Sequence, residues 1–273
     1  MASSNTINTV PNEILLSVLT HLPSDELLRL TTVSRRFCSA VLRLFRQRLA
    51  DTAALPDHRL ILECYQPSAK LSTPYLYCDY LSTDGLSDPE SELTPSSLAS
   101  SYSHFRPVKQ DENRRGRRRY FTASSAAVPG ASPDLPDVPS QDIFLDEDVL
   151  FSQLCTVTNL VKMGPKPGLF LSHVNVGDGL IRVWRNWLAA NAGSAPAPIL
   201  WADTAHTVGV RFRVAEREQP GAVLVAVGDE MPLAYRLEFD EVVVRAGWLL
   251  LMVERSERQE VTTSGKAIVI ASI

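Results

Sequence analysis

The chain has 273 residues, 45% of them hydrophobic and 21% charged, with a formal net charge of −4 and a pI near 5.8. That composition suits one large or two small globular domains and argues against a general nucleic-acid binder, which needs a basic surface for phosphate. No stretch reaches the ~18 consecutive apolar residues of a membrane-spanning helix.

The N-terminus, MASSNTINTVPNE, has neither a basic n-region nor an apolar h-region. No secretory signal is expected, and the expected location is cytoplasm and/or nucleus. Cys38, Cys64, Cys78 and Cys155 show no C-x-x-C spacing. Free, partly buried thiols are expected rather than a disulfide framework.

The first ordered stretch runs from Val10 to Leu49 and reads as three short helices. Ile14, Leu15, Val18, Leu19 and Leu22 fall at helical spacing behind Pro11, which suits a first-turn position. Pro23 ends that helix. Ser24 is the expected N-cap of the second, with Asp25 and Glu26 in its first turn. Leu27, Leu28, Leu30 and Val33 follow, and a third helix carries Phe37, Ala40, Val41, Leu44, Phe45 and Leu49. Ile14/Leu15, Val18/Leu19 and Leu27/Leu28 are adjacent pairs, and neighbours on a helix point about 100° apart. One inner face cannot bury them all, and a unit of this size has little core of its own. It is expected to lean on a partner chain, on the rest of this chain, or on both.

These residues carry a resemblance. Val10-Pro11-x-Glu13-Ile14-Leu15, then Val18-Leu19-x-x-Leu22-Pro23, then Leu27-Leu28-x-Leu30 and Val33-Ser34-Arg35-Arg36-Phe37 together resemble an F-box. The family pattern begins Leu-Pro, so Val10 departs from it. The resemblance covers about 40 of 273 residues. It implies a unit that binds the Skp-type adaptor of SCF (Skp–cullin–F-box) ubiquitin ligases, and through it a cullin. Pro11, Ile14, Leu15, Leu19, Leu22, Leu27, Leu28, Leu30, Val33 and Phe37 are the residues expected to serve adaptor contact and packing. The pattern alone does not divide them between the two roles.

Beyond residue 50 we expect a connector over 51–142. Arg59–Tyr65 fits either a strand or a helix end. The aromatic-rich stretch 66–83 suggests ordered packing. Residues 84–103 are rich in Ser, Pro and acids and read as a mobile loop. Arg114–Arg119 holds five arginines in six residues. A nuclear-localisation or anion-contact patch is one reading, and we favour a solvated basic loop. Residues 122–141 contain four prolines and read as irregular. The segments 84–103 and 109–142 are thus long irregular insertions.

From Ile143 the chain turns β-rich. Phe144–Leu154 reads as a helical turn and Cys155–Lys162 as a strand. Leu180–Leu188 fits both periods and reads as a strand followed by a turn. Val208–Val214, Ala222–Val227, Leu233–Phe239, Glu241–Arg245, Gly247–Glu254 and Lys266–Ile273 then follow as strands, with Gly247–Glu254 (GWLLLMVE) apolar on both faces and therefore central. At roughly 10–15-residue spacing and without intervening helices, this predicts an antiparallel β-sandwich over 143–273 behind a helical domain over 6–50, an α+β chain.

No catalytic constellation emerges. There is no G-x-S-x-G elbow and no P-loop, and the five histidines form no helical ligand pair. Cys155 with His173 is a weak nucleophile pair, and Asp146-Glu147-Asp148 lacks an EF-hand frame. No enzyme activity, cofactor or metal is expected. Trp201 and Trp248 read as core. Trp184 and Trp187 are the candidates for a substrate- or ligand-binding face.

A second, shorter resemblance rests on Trp201 before an alternating strand, Gly247-Trp248, and Ser264-Gly265-Lys266-Ala267-Ile268-Val269-Ile270. With the N-terminal helices, this order is similar to F-box proteins carrying a phloem-lectin-like domain. It implies a jelly-roll-like sandwich and, as the alternative to a protein-substrate receptor, a glycan-binding, lectin-like module that the F-box links to glycoprotein turnover.

Overall fold

The computed structural model describes residues 7, 10–53, 55–70, 73–86, 94–109, 138–145, 149–165, 169–193, 197–217, 233–262 and 268–269. Three helices open the chain: α1 (Asn12–Leu19), α2 (Ser24–Leu30) and α3 (Arg35–Ala53). They pack through Leu15, Leu19, Leu27, Val41, Leu44, Phe45 and Leu49, the inward half of the paired apolar positions.

The remaining elements are β1 (His58–Tyr65), β2 (Leu76–Thr83), α4 (Pro95–Ser100), β3 (Tyr102–Val108), β4 (Ser140–Leu145), β5 (Phe151–Met163), β6 (Leu169–Trp184), α5 (Arg185–Asn191), β7 (Leu200–Trp201), β8 (Val208–Glu216), β9 (Leu233–Arg245), α6 (Ala246–Thr262) and β10 (Ile268–Val269). The strands form one antiparallel sheet in the order β10-β6-β5-β1-β2-β3-β9-β8-β7, with β4 beside β3 on β9. The sheet curls until its two sides nearly meet. A Cβ on Gly177 would lie 3.0 Å from Val208 Cγ2, and one on Gly179 would lie 2.0 Å from the Ala202 carbonyl oxygen. Only glycine lets β6 approach the β7–β8 side so closely.

The α+β class and the mostly antiparallel sheet agree with expectation. The strands belong to one curled sheet, however, not two stacked ones. The reason lies in Gly247–Glu254, expected as a central strand and in fact the first half of α6. A short, uniformly apolar run carries no period that separates strand from buried helix. Here it is apolar on two faces because two cores flank it. Leu249, Met252 and Val253, at helical spacing, join the main core of the sheet. Ala246 and Leu250 join the core of α1–α3. Helix α6 therefore supplies the layer that a second sheet would supply in a sandwich.

Other expectations shift as well. The stretch 51–142 contributes β1, β2 and β3 to the sheet, because RLILECY and LYCDYLST hold β-formers between polar loops that mask their alternation. Within 84–103, α4 is capped by Thr94, which accepts from the Ser97 N–H while the Ser97 hydroxyl accepts from the Thr94 N–H. Phe144–Leu154, expected as a helical turn, contains the end of β4 and the start of β5. The run after Trp184 becomes α5. Arg114–Arg119, Ala222–Val227 and Asp146–Asp148 lie outside the described residues.

Cys64 and Cys78 are buried, and Cys38 and Cys155 half-buried. Burial pushes the Cys64 and Cys78 thiols far above their ordinary range, with Cys155 adding to the first and Asp79 to the second. In the unfolded chain these thiols ionise near an ordinary value of about 8.5. Above that pH the unfolded state binds fewer protons than the folded one, so stability declines as pH rises and is fully retained below it. Urea midpoints at pH 7 and pH 10 should show the decline, and Cys64→Ala/Cys78→Ala should flatten it. An unchanged slope in that variant would contradict the assignment.

Candidate functional site

The structure divides the expected adaptor residues. Leu15, Leu19 and Leu27 are buried, the last completely, while Leu22, Leu30 and Phe37 are half-buried against the same core. Outside it stand Pro11, Ile14 (54% exposed), Leu28 (40%) and Val33 (62%), together with Val18 (59%). Pro11, Ile14 and Val18 follow one another at three and four residues and so share one face of α1. Arg36 holds that end of α1 against α3: its guanidinium donates to Asn12 Oδ1 at 2.8 Å and to the Val10 carbonyl. The result is an apolar surface on helices that already have a complete interior. Val18 belongs to this surface, although its pairing with Leu19 left its side undetermined in the sequence.

The division has a direct check. Leu27→Ala should cost about 2–5 kcal/mol of stability by chemical denaturation, whereas Leu28→Ala should stay within about 0.5 kcal/mol. Equal costs would mean that the two positions are packed alike.

The expected N-cap takes another form. Ser24 is the first residue of α2, and its N–H and hydroxyl are bonded 2.9 and 2.5 Å away to the Glu254 carboxylate of α6. Arg48 of α3 closes the cluster. It donates to Glu254 Oε1 at 3.0 Å, to Ser24 Oγ at 2.8 Å, and to the carbonyls of Thr20 and Leu22 at 3.0 and 2.6 Å. Glu254 continues the row of Ala246 and Leu250, so one side of α6 gives the helices two apolar contacts and a carboxylate cap.

A second polar cluster ties α6 to the sheet. His58 Nε2 lies 3.0 Å from Ser256 Oγ, and its Nδ1 lies 2.9 Å from the Pro56 carbonyl. Ser256 also shares a hydrogen bond with Ser172 of β6. All three side chains are buried. They join β1, β6 and α6 across separations of up to 198 residues, which no local pattern in the sequence signals.

Cys155 and His173 are not brought together. Cys155 pairs with Leu180, and His173 with Val161, six positions further along β5, about 20 Å at strand rise. Trp184 and Trp187 also part. Trp184 is 47% exposed and tilts against Phe151 with ring centroids 4.9 Å apart, while Arg182 lies 5.6 Å from the Phe151 centroid. Trp187 instead packs against the main core. Trp201 is half-buried and stacks on His206 at 4.6 Å. Trp248, expected in the core, is 39% exposed, its Nε1 donating to the Val176 carbonyl at 2.7 Å.

Among the described residues no group of three or more His, Cys, Asp or Glu side chains could hold a metal ion, and no helix is long and apolar enough to cross a membrane. No curated protein and no solved structure matches the chain. Residues 7–50 match the family model described as F-box-like. The three N-terminal helices, with a filled interior and an apolar outer face, are an F-box-like domain.

Proposed function

We propose that the protein is a non-catalytic substrate receptor of an SCF-type ubiquitin ligase, acting in the cytoplasm and/or nucleus. In this reading α1–α3 hold a Skp-type adaptor and through it a cullin, and the sheet holds a protein substrate. The observation that carries it is the exposed set Pro11, Ile14, Val18, Leu28 and Val33 on the F-box-like domain. Apolar side chains left outside a complete core mark an interaction surface. The protein contributes proximity, holding a substrate near activated ubiquitin, and needs no cofactor or metal of its own.

The substrate face is the open end of the β5–β6 hairpin, opposite its turn. Leu150, Leu180 and Trp184 are exposed there beside Phe151. Helix α6 meets β6 at Ser172–Val176, and Trp184 lies eight residues further along the strand, about 25 Å away. A substrate at Trp184 is thus held clear of the adaptor. The glycan-binding alternative rests on Trp184 alone, because Trp187 packs against the core.

Affinity purification of the full chain from cells should recover a Skp-type adaptor and a cullin. Trp184→Ala should leave both in place while reducing the ubiquitin-conjugated protein recovered with them. Absence of the adaptor from the wild-type complex would overturn the reading, and unchanged recovery of conjugates would remove Trp184 from it.

A further inference from the structure

Beside the F-box-like helices lies a groove of about 280 Å³ whose lining includes Leu28, Phe45, Leu98, Ala99, Trp248 and Leu251, together with Thr31, Arg245 and Gly247. Its walls come from α2, α3, α4 and α6. At that volume it falls below the usual small-molecule range of about 300–1,000 Å³. It can take one or two apolar side chains.

Its polar groups are already engaged. The Thr31 hydroxyl donates to the Leu28 carbonyl at 2.6 Å, and the Arg245 guanidinium donates to the carbonyls of Ala205 and His206. Leu28 belongs both to this groove and to the exposed F-box-like surface.

From this continuity, and resting on the adaptor reading above, we infer that the adaptor's footprint extends beyond the F-box-like domain into this groove. An apolar side chain of the same adaptor chain inserts between α4 and Trp248. The contact couples adaptor binding to the sheet domain, because α6 forms one wall of the groove and also packs on β6. It is the same partner on a second surface, and both surfaces meet at Leu28.

The test measures affinity of the full chain for a purified Skp-type adaptor by calorimetry. Ala99 is exposed on α4, so Ala99→Trp fills the groove from outside without disturbing either core. It should weaken binding about tenfold with an unchanged melting temperature, and adaptor should slow amide exchange across Pro95–Ser100. The control is Ile14→Glu/Val18→Glu, on α1 and outside the lining of the groove. If the control loses binding while Ala99→Trp binds like wild type and α4 exchange is unmoved, the groove is not an adaptor site and the F-box reading stands. If neither variant loses binding, the F-box reading falls with it.

Discussion

Ile14→Glu/Val18→Glu should abolish adaptor binding, with a loss of 100-fold or more, while the melting temperature stays at the wild-type value. Both side chains are more than half exposed on one face of α1, so carboxylates there are fully hydrated in the free protein and cost little. In a complex the same positions become desolvated, and two unpaired charges would be buried against an apolar partner. Interface anchors of this kind each contribute about 2 kcal/mol or more, and each 1.4 kcal/mol is tenfold in affinity. Leu15→Ala supplies the contrast. Leu15 is 4% exposed within the helical core, so its truncation should lower stability and reduce binding only through the folded fraction. Wild-type affinity in the double variant, measured by calorimetry or surface capture, would show that α1 is not the adaptor face.

The helical unit was the most legible part of the chain, because its signal is local. Apolar spacing, Pro11, Pro23 and the Val33–Phe37 ending all lie within one stretch. What the spacing could not show was which member of each adjacent pair faces inward. That depends on the crossing of α1 and α2 over α3, and on Ala246 and Leu250 arriving from more than 190 residues away to claim one side. Most of the sheet was legible where one face is buried, as in Val208–Val214, and illegible where both are. GWLLLMVE reads as a strand because each face of α6 meets a different core, which removes the polar stripe that identifies a surface helix. The polar links, Glu254 with Ser24 and His58 with Ser256, join residues with no sequence relation. Ser24 itself was recognisable as a residue of a helix start, but the group that satisfies its N–H comes from the other end of the chain.

That link carries the second large effect. Glu254→Ala should destabilise the protein by about 3 kcal/mol, seen as a lower urea midpoint and a melting temperature lower by about 6–12 °C for a chain of this size. The carboxylate and the Arg48 guanidinium are both mostly buried, with side chains 17% and 21% exposed, so water replaces the lost partner only in part. The Ser24 N–H and hydroxyl would lose their acceptor while Ser24 remains fully buried, and Arg48 would keep only its bonds to Ser24 and to the Thr20 and Leu22 carbonyls. Glu254→Gln retains an acceptor for the Ser24 N–H and should cost less, about 1–2 kcal/mol. Because Arg48→Ala removes the other half of one cluster, the two alanine substitutions together should cost clearly less than their sum. Strict additivity, or a loss below about 0.5 kcal/mol for Glu254→Ala, would mean that the cluster is solvated and does not hold α6 to the helices. If the cluster does hold, the functional reading gains a mechanical consequence. The F-box-like helices and the sheet turn as one body, so loosening Glu254 should leave the contacts of Ile14 and Val18 on α1 intact, weaken adaptor binding by no more than the share of the α6-walled groove, and lower ubiquitin transfer to a bound substrate, the step that depends on fixed distance rather than on contact.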